Sequence, residues 1–201
     1  MRIIAGRAGG IPLKSPPAET RPTADRVREA IFSMLGVSCV DARVLDVFAG
    51  SGALGLEALS RGAKEAVFVE RNGKACGIIE DNLRRSKLEG ARVIKAEAFA
   101  ALQQQRLAGA KFDLIFADPP YMKERGDPDY AAQLLASADL RALLVEGGTL
   151  VLETMMTKRA ATSIAGWHIA RDRAYGSTRV LLLQPDPTPA PHGEISHAAP
   201  L

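Results

Sequence analysis

The chain has 201 residues, of which 47% are hydrophobic and 24% charged, a composition typical of a packed globular domain and not of a disordered chain. Its two cysteines are too few for a disulfide framework, and no apolar run approaches the roughly 18 residues that a membrane span needs. Because two of the three histidines lie in a proline-rich terminal stretch, we expect no metal site. The two separated cysteines and an N-terminus without a long apolar stretch predict a cytoplasmic protein with reduced thiols.

The formal net charge of +3 is concentrated near the N-terminus. Residues 1–30 hold six basic and three acidic side chains, whereas residues 31–201 are balanced. A solvated basic face and a surface that binds phosphate groups explain this excess equally well.

The N-terminal 36 residues predict a hairpin followed by a helix. Glycine and proline interrupt residues 2–17, as is typical of a small strand or hairpin. Apolar residues then recur at helical spacing between Ala24 and Leu35, and Gly36 supplies a stop signal. We therefore expect residues 1–36 to form a basic appendage of a hairpin and a helix.

From residue 43 the chain alternates between short apolar runs and amphipathic stretches. This alternation predicts βαβ units and a parallel sheet with helices on both faces. Strands are expected at 43–48, 66–70, 92–94, 112–117 and 149–152, and helices at 53–61, 73–87, 98–107 and 129–144. Two further strands, at 167–173 and 178–184, are joined by a turn around Tyr175 and Gly176 and predict an antiparallel hairpin.

These elements predict one α/β, Rossmann-like domain over residues 37–184, built on a mostly parallel seven-stranded sheet. Residues 185–201 are rich in proline and also contain histidine, serine and glycine. We expect this last stretch to be a disordered tail.

A glycine loop follows the first core strand. Gly50, Gly52 and Gly55 have the G-x-G-x-x-G spacing, which allows a tight turn and a close approach of a ligand to the backbone. Twenty residues after Gly50, Glu70 closes the second strand, where its carboxylate can accept hydrogen bonds from both ribose hydroxyls of an adenosine. The spacing alone fits both NAD and S-adenosylmethionine, and it also occurs as a turn without a ligand.

Asp46 favours S-adenosylmethionine over NAD. It lies four residues before Gly50, near the carboxyl end of the strand. A carboxylate there attracts a cationic α-amino group or sulfonium and repels an anionic pyrophosphate. The alternative, that Asp46 only caps a loop, leaves its position unexplained.

The tetrapeptide Asp118-Pro119-Pro120-Tyr121 directly follows the strand predicted at 112–117. Two successive prolines stiffen the loop and remove two N–H donors. The Asp118 carboxylate and the Pro119 carbonyl then form two acceptors beside an aromatic ring, which suits the planar amine of guanine or adenine. A proline pair can also simply end a strand. The whole tetrapeptide, at the rim that carries the glycine loop, favours amine chemistry.

A glycine loop followed by (Asp/Asn)-Pro-Pro-aromatic resembles the amino-methyltransferases of the class I S-adenosylmethionine-dependent fold. Three stretches make the resemblance specific to the RsmD family, which methylates the N2 amine of one guanine in bacterial 16S ribosomal RNA; they are residues 2–6, 20–32 and 48–58. The resemblance runs over about residues 2–184. It departs at Glu97, where many such enzymes have Asp, and at residues 8–12, which are less basic than the usual start of the family.

The motifs and the resemblance together imply a role for each of three groups of residues. Catalysis is expected of Asp118, Pro119, Pro120 and Tyr121. Binding of S-adenosylmethionine is expected of Asp46, Phe48, Ala49, Gly50, Ser51, Gly52, Glu70, Arg71, Glu97 and Ala98. Contacts with RNA are expected of Arg2, Arg7, Arg21, Arg26, Arg28, Lys123 and Arg125. The implied partner is 16S ribosomal RNA within a small-subunit particle, bound by a monomer without a metal or a membrane.

Several alternatives stay open at this point. Adenine N6 in DNA or RNA and a protein glutamine amide keep the same chemistry, although Asp rather than Asn at position 118 weighs against the amide. A nicotinamide-dependent oxidoreductase is disfavoured by Asp46. A non-catalytic RNA-binding module is disfavoured because the glycines and Asp118 are intact.

Overall fold

The computed structural model describes residues 1–15, 22–122, 124, 126–156 and 163–187, with the backbone alone at 22–24. Over these residues one sheet has seven strands, in the order β3-β2-β1-β4-β5-β7-β6. The strands are β1 (Arg43–Val47), β2 (Glu65–Glu70), β3 (Ala91–Lys95), β4 (Phe112–Ala117), β5 (Leu144–Met155), β6 (Trp167–Tyr175) and β7 (Thr178–Pro185). Strands β1 to β5 are parallel, and β7 pairs antiparallel with both β5 and β6. The predicted α/β sheet with an antiparallel C-terminal hairpin is confirmed.

Helices cover both faces of the sheet in the described part of the chain. They are α1 (Pro22–Leu35), α2 (Ala53–Ser60), α3 (Gly73–Ser86), α4 (Ala98–Leu107), α5 (Tyr130–Ala136) and α6 (Ala138–Leu143). One core packs α1, α2 and α3 on the sheet through residues such as Phe32, Leu56 and Ile79. The second core packs α4, α5 and α6 on the opposite face through Leu102 and Leu134. The strands supply both cores because successive side chains point to opposite faces.

Two elements differ from their sequence-based predictions. The helix predicted over 129–144 is two short helices, since Ser137 ends α5 and its hydroxyl accepts a hydrogen bond from the Leu140 N–H at 3.2 Å, which caps α6. The strand predicted over 149–152 is longer, because β5 begins at Leu144 directly after α6. Apolar spacing continues through Ser137, so periodicity alone missed the local competition between a serine side chain and the helix backbone.

The glycine loop is held close to the sheet by the packing of α2. Gly52 precedes α2 with a φ of +78°, a conformation in which a side chain is strained. A Cβ atom on Gly55 would lie 2.4 Å from the Cε1 atom of Phe68 in β2. Glycine at position 55 therefore lets α2 approach β2 closely, and this approach places the start of α2 at the carboxyl end of β1.

Residues 1–15 fold back on themselves as a hairpin, which hydrogen bonds to α2 at Glu57 and at Ser60. Glu57 is fully buried and accepts hydrogen bonds from the backbone N–H groups of Ile4 and Ala5 at 2.6 and 3.1 Å. The same carboxylate pairs with the guanidinium of Arg61 at 2.7 Å. Because a buried carboxylate is costly without such partners, Glu57 ties the N-terminal hairpin to α2.

Substitution of Gly55 by alanine is expected to lower the free energy of unfolding by about 1–3 kcal/mol, because the added methyl group overlaps the ring of Phe68. The matched control is Gly77→Ala in α3, where an added Cβ meets nothing within 4 Å. That control should raise the free energy of unfolding by about 0.5–1 kcal/mol through helix propensity. Urea unfolding followed by circular dichroism measures both. Equal effects of the two substitutions would contradict the packing role of Gly55.

Candidate active site

A cavity of about 560 Å³ opens at the carboxyl ends of the parallel strands, a volume typical of small-molecule sites. Phe48 and Gly50 line it after β1, Glu70 at the end of β2 and Ala96 after β3. The tetrapeptide Asp118-Pro119-Pro120-Tyr121 lines it after β4. The structure therefore brings the glycine loop and the tetrapeptide to one cavity, although they lie about 68 residues apart.

Glu70 binds the glycine loop directly. Its Oε2 atom accepts a hydrogen bond from the Gly50 N–H at 3.0 Å, and its Oε1 atom accepts one from the Asn72 N–H at 2.7 Å. A carboxylate oxygen has two acceptor directions, so each oxygen can still accept a further bond. Glu70 thus holds the loop in place and keeps acceptors at the cavity wall for hydroxyl groups.

Within the described residues, Asp46 does not line the larger cavity. It is buried, and its Oδ2 atom accepts a hydrogen bond from the Gly55 N–H at 2.9 Å, in the first turn of α2. It also lines a second cavity of about 180 Å³, which has Arg28, Asp118 and Glu153 in its wall. The capping role that the sequence analysis set aside is therefore present, together with a place at this smaller cavity.

The other expected cofactor residues fall into three groups. Arg71, Glu97 and Ala98 line the larger cavity, and Glu97 also caps α4 by accepting hydrogen bonds from two backbone N–H groups. Ala49 and Ser51 line the smaller cavity. Gly52 is absent from the lining of both cavities in the described part of the chain, and its role there is the turn into α2.

Aromatic rings form one wall of the larger cavity. The rings of Phe48 and Tyr130 lie 5.7 Å apart and are tilted, and those of Phe99 and Tyr130 stack at 6.3 Å. Phe48 adopts a φ of +63°, which is uncommon for a residue with a side chain. Tyr130 was missed by the sequence analysis, because a tyrosine at the start of a helix carries no motif that marks it as a cavity residue.

Two groups of cavity residues besides Tyr130 were also missed. Asn72 lines the cavity and caps α3 with its side chain. Glu153, Ser177 and Thr178 come from β5 and the β6–β7 hairpin and line the end of the cavity beyond Asp118. The capping signal at Asn72 was available from the sequence. The others were not, because only the sheet order brings β5 beside β4 and the β6–β7 hairpin beside β5.

Arg28 was expected to contact RNA, but its side chain is turned into the protein. Its side chain is buried, and its Nη2 atom donates hydrogen bonds to the Arg2 carbonyl oxygen at 2.5 Å and to the Asp25 carboxylate at 3.1 Å. Its Nε atom lies 3.9 Å from the buried Glu57 carboxylate. A guanidinium in this position joins α1 to the N-terminal hairpin and is not exposed for an RNA phosphate.

The remaining expected RNA contacts are spread over the molecule. Arg2 and Arg26 are exposed, and their neighbours Met1 and Val27 line the two cavities. Arg7 is also exposed, but its N–H donates to the carbonyl of Ser60 at the far end of α2, so it lies away from the rim. Arg21, Lys123 and Arg125 lie outside the described residues.

Neither a membrane segment nor a metal cluster is found within the described ranges. No helix there is long and apolar enough to cross a bilayer. No group of three or more His, Cys, Asp or Glu side chains in the same ranges could hold a metal ion.

The lining of the larger cavity fits S-adenosylmethionine. The Glu70 carboxylate can accept hydrogen bonds from ribose hydroxyls, and Phe48 and Ala98 offer an apolar wall for a purine. Gly50, with a φ of +53°, leaves the loop backbone uncovered at the cavity. These residues are the ones that would hold the cofactor.

Comparison with protein families gives a match over residues 1–184 to the family described as "Conserved hypothetical protein 95". The ribosomal RNA small subunit methyltransferase D of Escherichia coli K12 is 36% identical over 185 residues, which cover 92% of this chain and 89% of that protein. The Bacillus subtilis protein YlbH is 36% identical over 184 residues, which cover 90% of this chain and 97% of that protein.

Solved structures agree with this relationship. The Escherichia coli protein yhhF superposes with a TM-score of 0.77 at 35% identity, covering 92% of this chain and 98% of that chain. SMU.776, crystallised with S-adenosylhomocysteine, superposes with a TM-score of 0.65 over 82% of this chain and 50% of that chain. At 14% identity, this second structure shows the fold alone.

The family match, the two relatives and the arrangement of the cavity point to one conclusion. The chain belongs to the RsmD family, a family of S-adenosylmethionine-dependent methyltransferases with the class I fold.

Proposed function

We propose that the protein transfers a methyl group from S-adenosylmethionine to the exocyclic N2 amine of a guanine in 16S ribosomal RNA. The observation that carries the proposal is that Asp118-Pro119-Pro120-Tyr121 lines the same cavity as Gly50 and Glu70. An amine-binding motif and an adenosine-binding loop thereby meet at one rim. The name of the Bacillus subtilis relative supports ribosomal RNA as the acceptor, and the name of the Escherichia coli relative supports ribosomal RNA of the small subunit.

When bound, S-adenosylmethionine supplies an already activated methyl group, so no covalent enzyme intermediate is needed. The Asp118 carboxylate and the Pro119 carbonyl accept hydrogen bonds from the two amine protons, which orients the nitrogen and offsets its developing positive charge. Tyr121 lines the cavity beside them and stacks on the base. Pro119 is buried and so holds the loop against the sheet.

The target guanine must be unpaired or flipped out of its helix to enter this cavity. We propose residues 1–36 as the appendage that contacts RNA and residues 37–184 as the methyltransferase domain, with a tail that begins after β7 ends at Pro185. Arg2 and Arg26 are the described cations that suit backbone phosphates near the rim. The assembled small-subunit particle is the proposed substrate, acted on by a monomer in the cytoplasm.

Transfer of tritiated methyl groups tests the proposed reaction. The protein is incubated with labelled S-adenosylmethionine and either naked 16S ribosomal RNA or small-subunit particles that lack the modification, and the RNA is then digested to nucleosides. We expect N2-methylguanosine, formed at one site. Labelled N6-methyladenosine would replace guanine by adenine as the target, and an unlabelled RNA pool would remove RNA from the proposal.

Substitution of Asp118 by alanine should lower the turnover number at least about 100-fold, because one of the two acceptors for the amine protons is lost. Affinity for S-adenosylhomocysteine should stay within about twofold, since hydrogen bonds to the glycine loop come from Glu70. Asp41→Asn is the matched control, because Asp41 is exposed at the opposite end of the sheet. Unchanged turnover in the Asp118 variant would remove Asp118 from the mechanism.

Substitution of Glu70 by alanine should weaken binding of S-adenosylhomocysteine about 10-fold or more, because charged acceptors for the ribose hydroxyls are lost. Isothermal titration calorimetry measures the affinity, and a smaller thermal shift with the ligand gives a second readout. Glu80→Ala, at an exposed position on α3, serves as the control and should bind as the wild type does. Equal affinity in the two variants would contradict the assigned role of Glu70.

A further inference from the structure

Glu153 is an acidic residue in the cavity wall, and it has no role in the proposed methyl transfer. It lines both the larger cavity and the smaller one, and it is partly buried. Among the described residues, no backbone or side-chain group forms a hydrogen bond with its carboxyl group. A carboxyl group that opens on a cavity and has such a surplus of hydrogen-bonding capacity is available to a ligand.

The register of the sheet places Glu153 next to Asp118. Ala117 at the end of β4 pairs with Leu152 in β5, so Asp118 and Glu153 are the next residues along two adjacent parallel strands. Adjacent strands lie about 4.8 Å apart. Val151, two residues before Glu153, belongs to the core under α1, so the Glu153 side chain points to the same face as Arg28 of α1.

The sheet order also decides which end of the cavity Glu153 occupies. Glu70 on β2 and Ala96 after β3 lie on one side of β4, whereas Glu153 and Thr178 lie on the other side, on β5 and β7. Asp118 stands between the two groups. If the adenosine binds near Glu70, the part of the cavity beyond Asp118 is left for the methyl acceptor.

The chemistry of the guanine edge fits two neighbouring carboxyl groups. Starting from N2, the edge continues with the N1–H donor and then the O6 acceptor. A neutral carboxyl group has one acceptor and one donor, so it can pair with N1–H and O6 at once. An adenine placed with N6 at Asp118 offers only N1 and then a C–H group, which leaves the carboxyl carbonyl without a partner.

We propose that Glu153 recognises the target base beside Asp118, accepting a hydrogen bond from guanine N1–H and donating its carboxyl proton to O6. This inference rests on the proposed function and makes Glu153 a specificity-determining residue of the same site. Asp118 accepts a hydrogen bond from the reacting amine, and Glu153 pairs with N1–H and O6 of the same base.

The ionisation of Glu153 agrees with this role. Burial, reinforced by the Asp118 carboxylate and more weakly by Asp46, raises the pKa of the Glu153 carboxyl to about 8 against the opposing Arg28 guanidinium. These three charged groups face it from β4, β1 and α1, and its partner on β7 is the apolar Val180. Because the pKa is raised, the protonated form exists below about pH 8 and is lost as the pH rises through that value.

The test uses the RNA fragment or particle that the wild-type protein methylates, prepared with guanine or with 2-aminopurine at the target position. 2-Aminopurine keeps the N2 amine but lacks both N1–H and O6. We expect it to lower kcat/KM roughly 10- to 100-fold in the wild type, and Glu153→Ala to lower kcat/KM on guanine by a similar factor. In the alanine variant the further penalty for 2-aminopurine should fall to about twofold or less.

Glu153→Gln gives a second, independent readout, because an amide has a donor and an acceptor at every pH. It should keep most of the activity on guanine at pH 7 and should not lose activity between pH 7.5 and 9, where the wild type does. Glu146→Gln, exposed at the other end of β5, is the matched control and should follow the wild-type pH profile.

The outcomes separate the two proposals. An equal penalty for 2-aminopurine in the wild type and in Glu153→Ala, or identical pH profiles of the wild type and Glu153→Gln, would overturn the role of Glu153. Weaker binding of S-adenosylhomocysteine by Glu153→Gln would also overturn it and move Glu153 to the cofactor. Should Glu153→Ala not fold, the 2-aminopurine comparison is made with Glu153→Gln at pH 9, where the amide is expected to outperform the ionised wild type on guanine. A wild type that forms no N2-methylguanosine would instead overturn the proposed function itself.

Discussion

The parallel pairing of β1 with β4 and of β4 with β5 is the constraint on which the site depends. Hydrogen bonding in register brings the carboxyl ends of these strands to one edge, with Asp46 level with Phe116 and Ala117 level with Leu152. A shift of one residue would turn each of these side chains to the other face of the sheet. The positions of Asp118 and Glu153 at this edge are therefore set by the hydrogen bonds between buried strands.

A second constraint couples the N-terminal hairpin to this edge through buried charge. Glu57 joins the hairpin to α2, and Arg28 joins α1 to the hairpin and lines the smaller cavity. Such groups are costly to bury singly, and loss of one partner leaves the other uncompensated. The hairpin and α1 are in this way oriented relative to the glycine loop, and the described basic residues of this segment lie on different parts of the molecule. Among the described residues, Arg28 is buried, Arg2 and Arg26 are exposed near the rim, Arg7 lies at the far end of α2, and Lys14 pairs with Asp81 of α3.

Most features that depend on a few neighbouring residues were predicted correctly, and most features that depend on distant residues were not. The glycine loop and the tetrapeptide were predicted because each consists of a few consecutive residues that follow an apolar run. The break at Ser137 was missed, since the apolar spacing continues across it and only a serine side chain decides where one helix ends. Asp46 was assigned to a ligand from its charge and its position near the carboxyl end of the strand, and the structure adds a hydrogen bond that it accepts from the N–H of Gly55, nine residues further on.

The sequence by itself determined the fold class, the order of the elements, the glycine loop and the Asp-Pro-Pro-Tyr motif, because periodicity and motif spacing are properties of neighbouring residues. Only the tertiary structure decided which other side chains share the cavity. Tyr130 reaches it from α5, Arg28 is turned inward from α1, and Glu153 stands beside Asp118 because β5 pairs with β4. Contacts of this kind join residues far apart in the chain, and they exist only once strand order and register bring separate elements to one edge of the sheet.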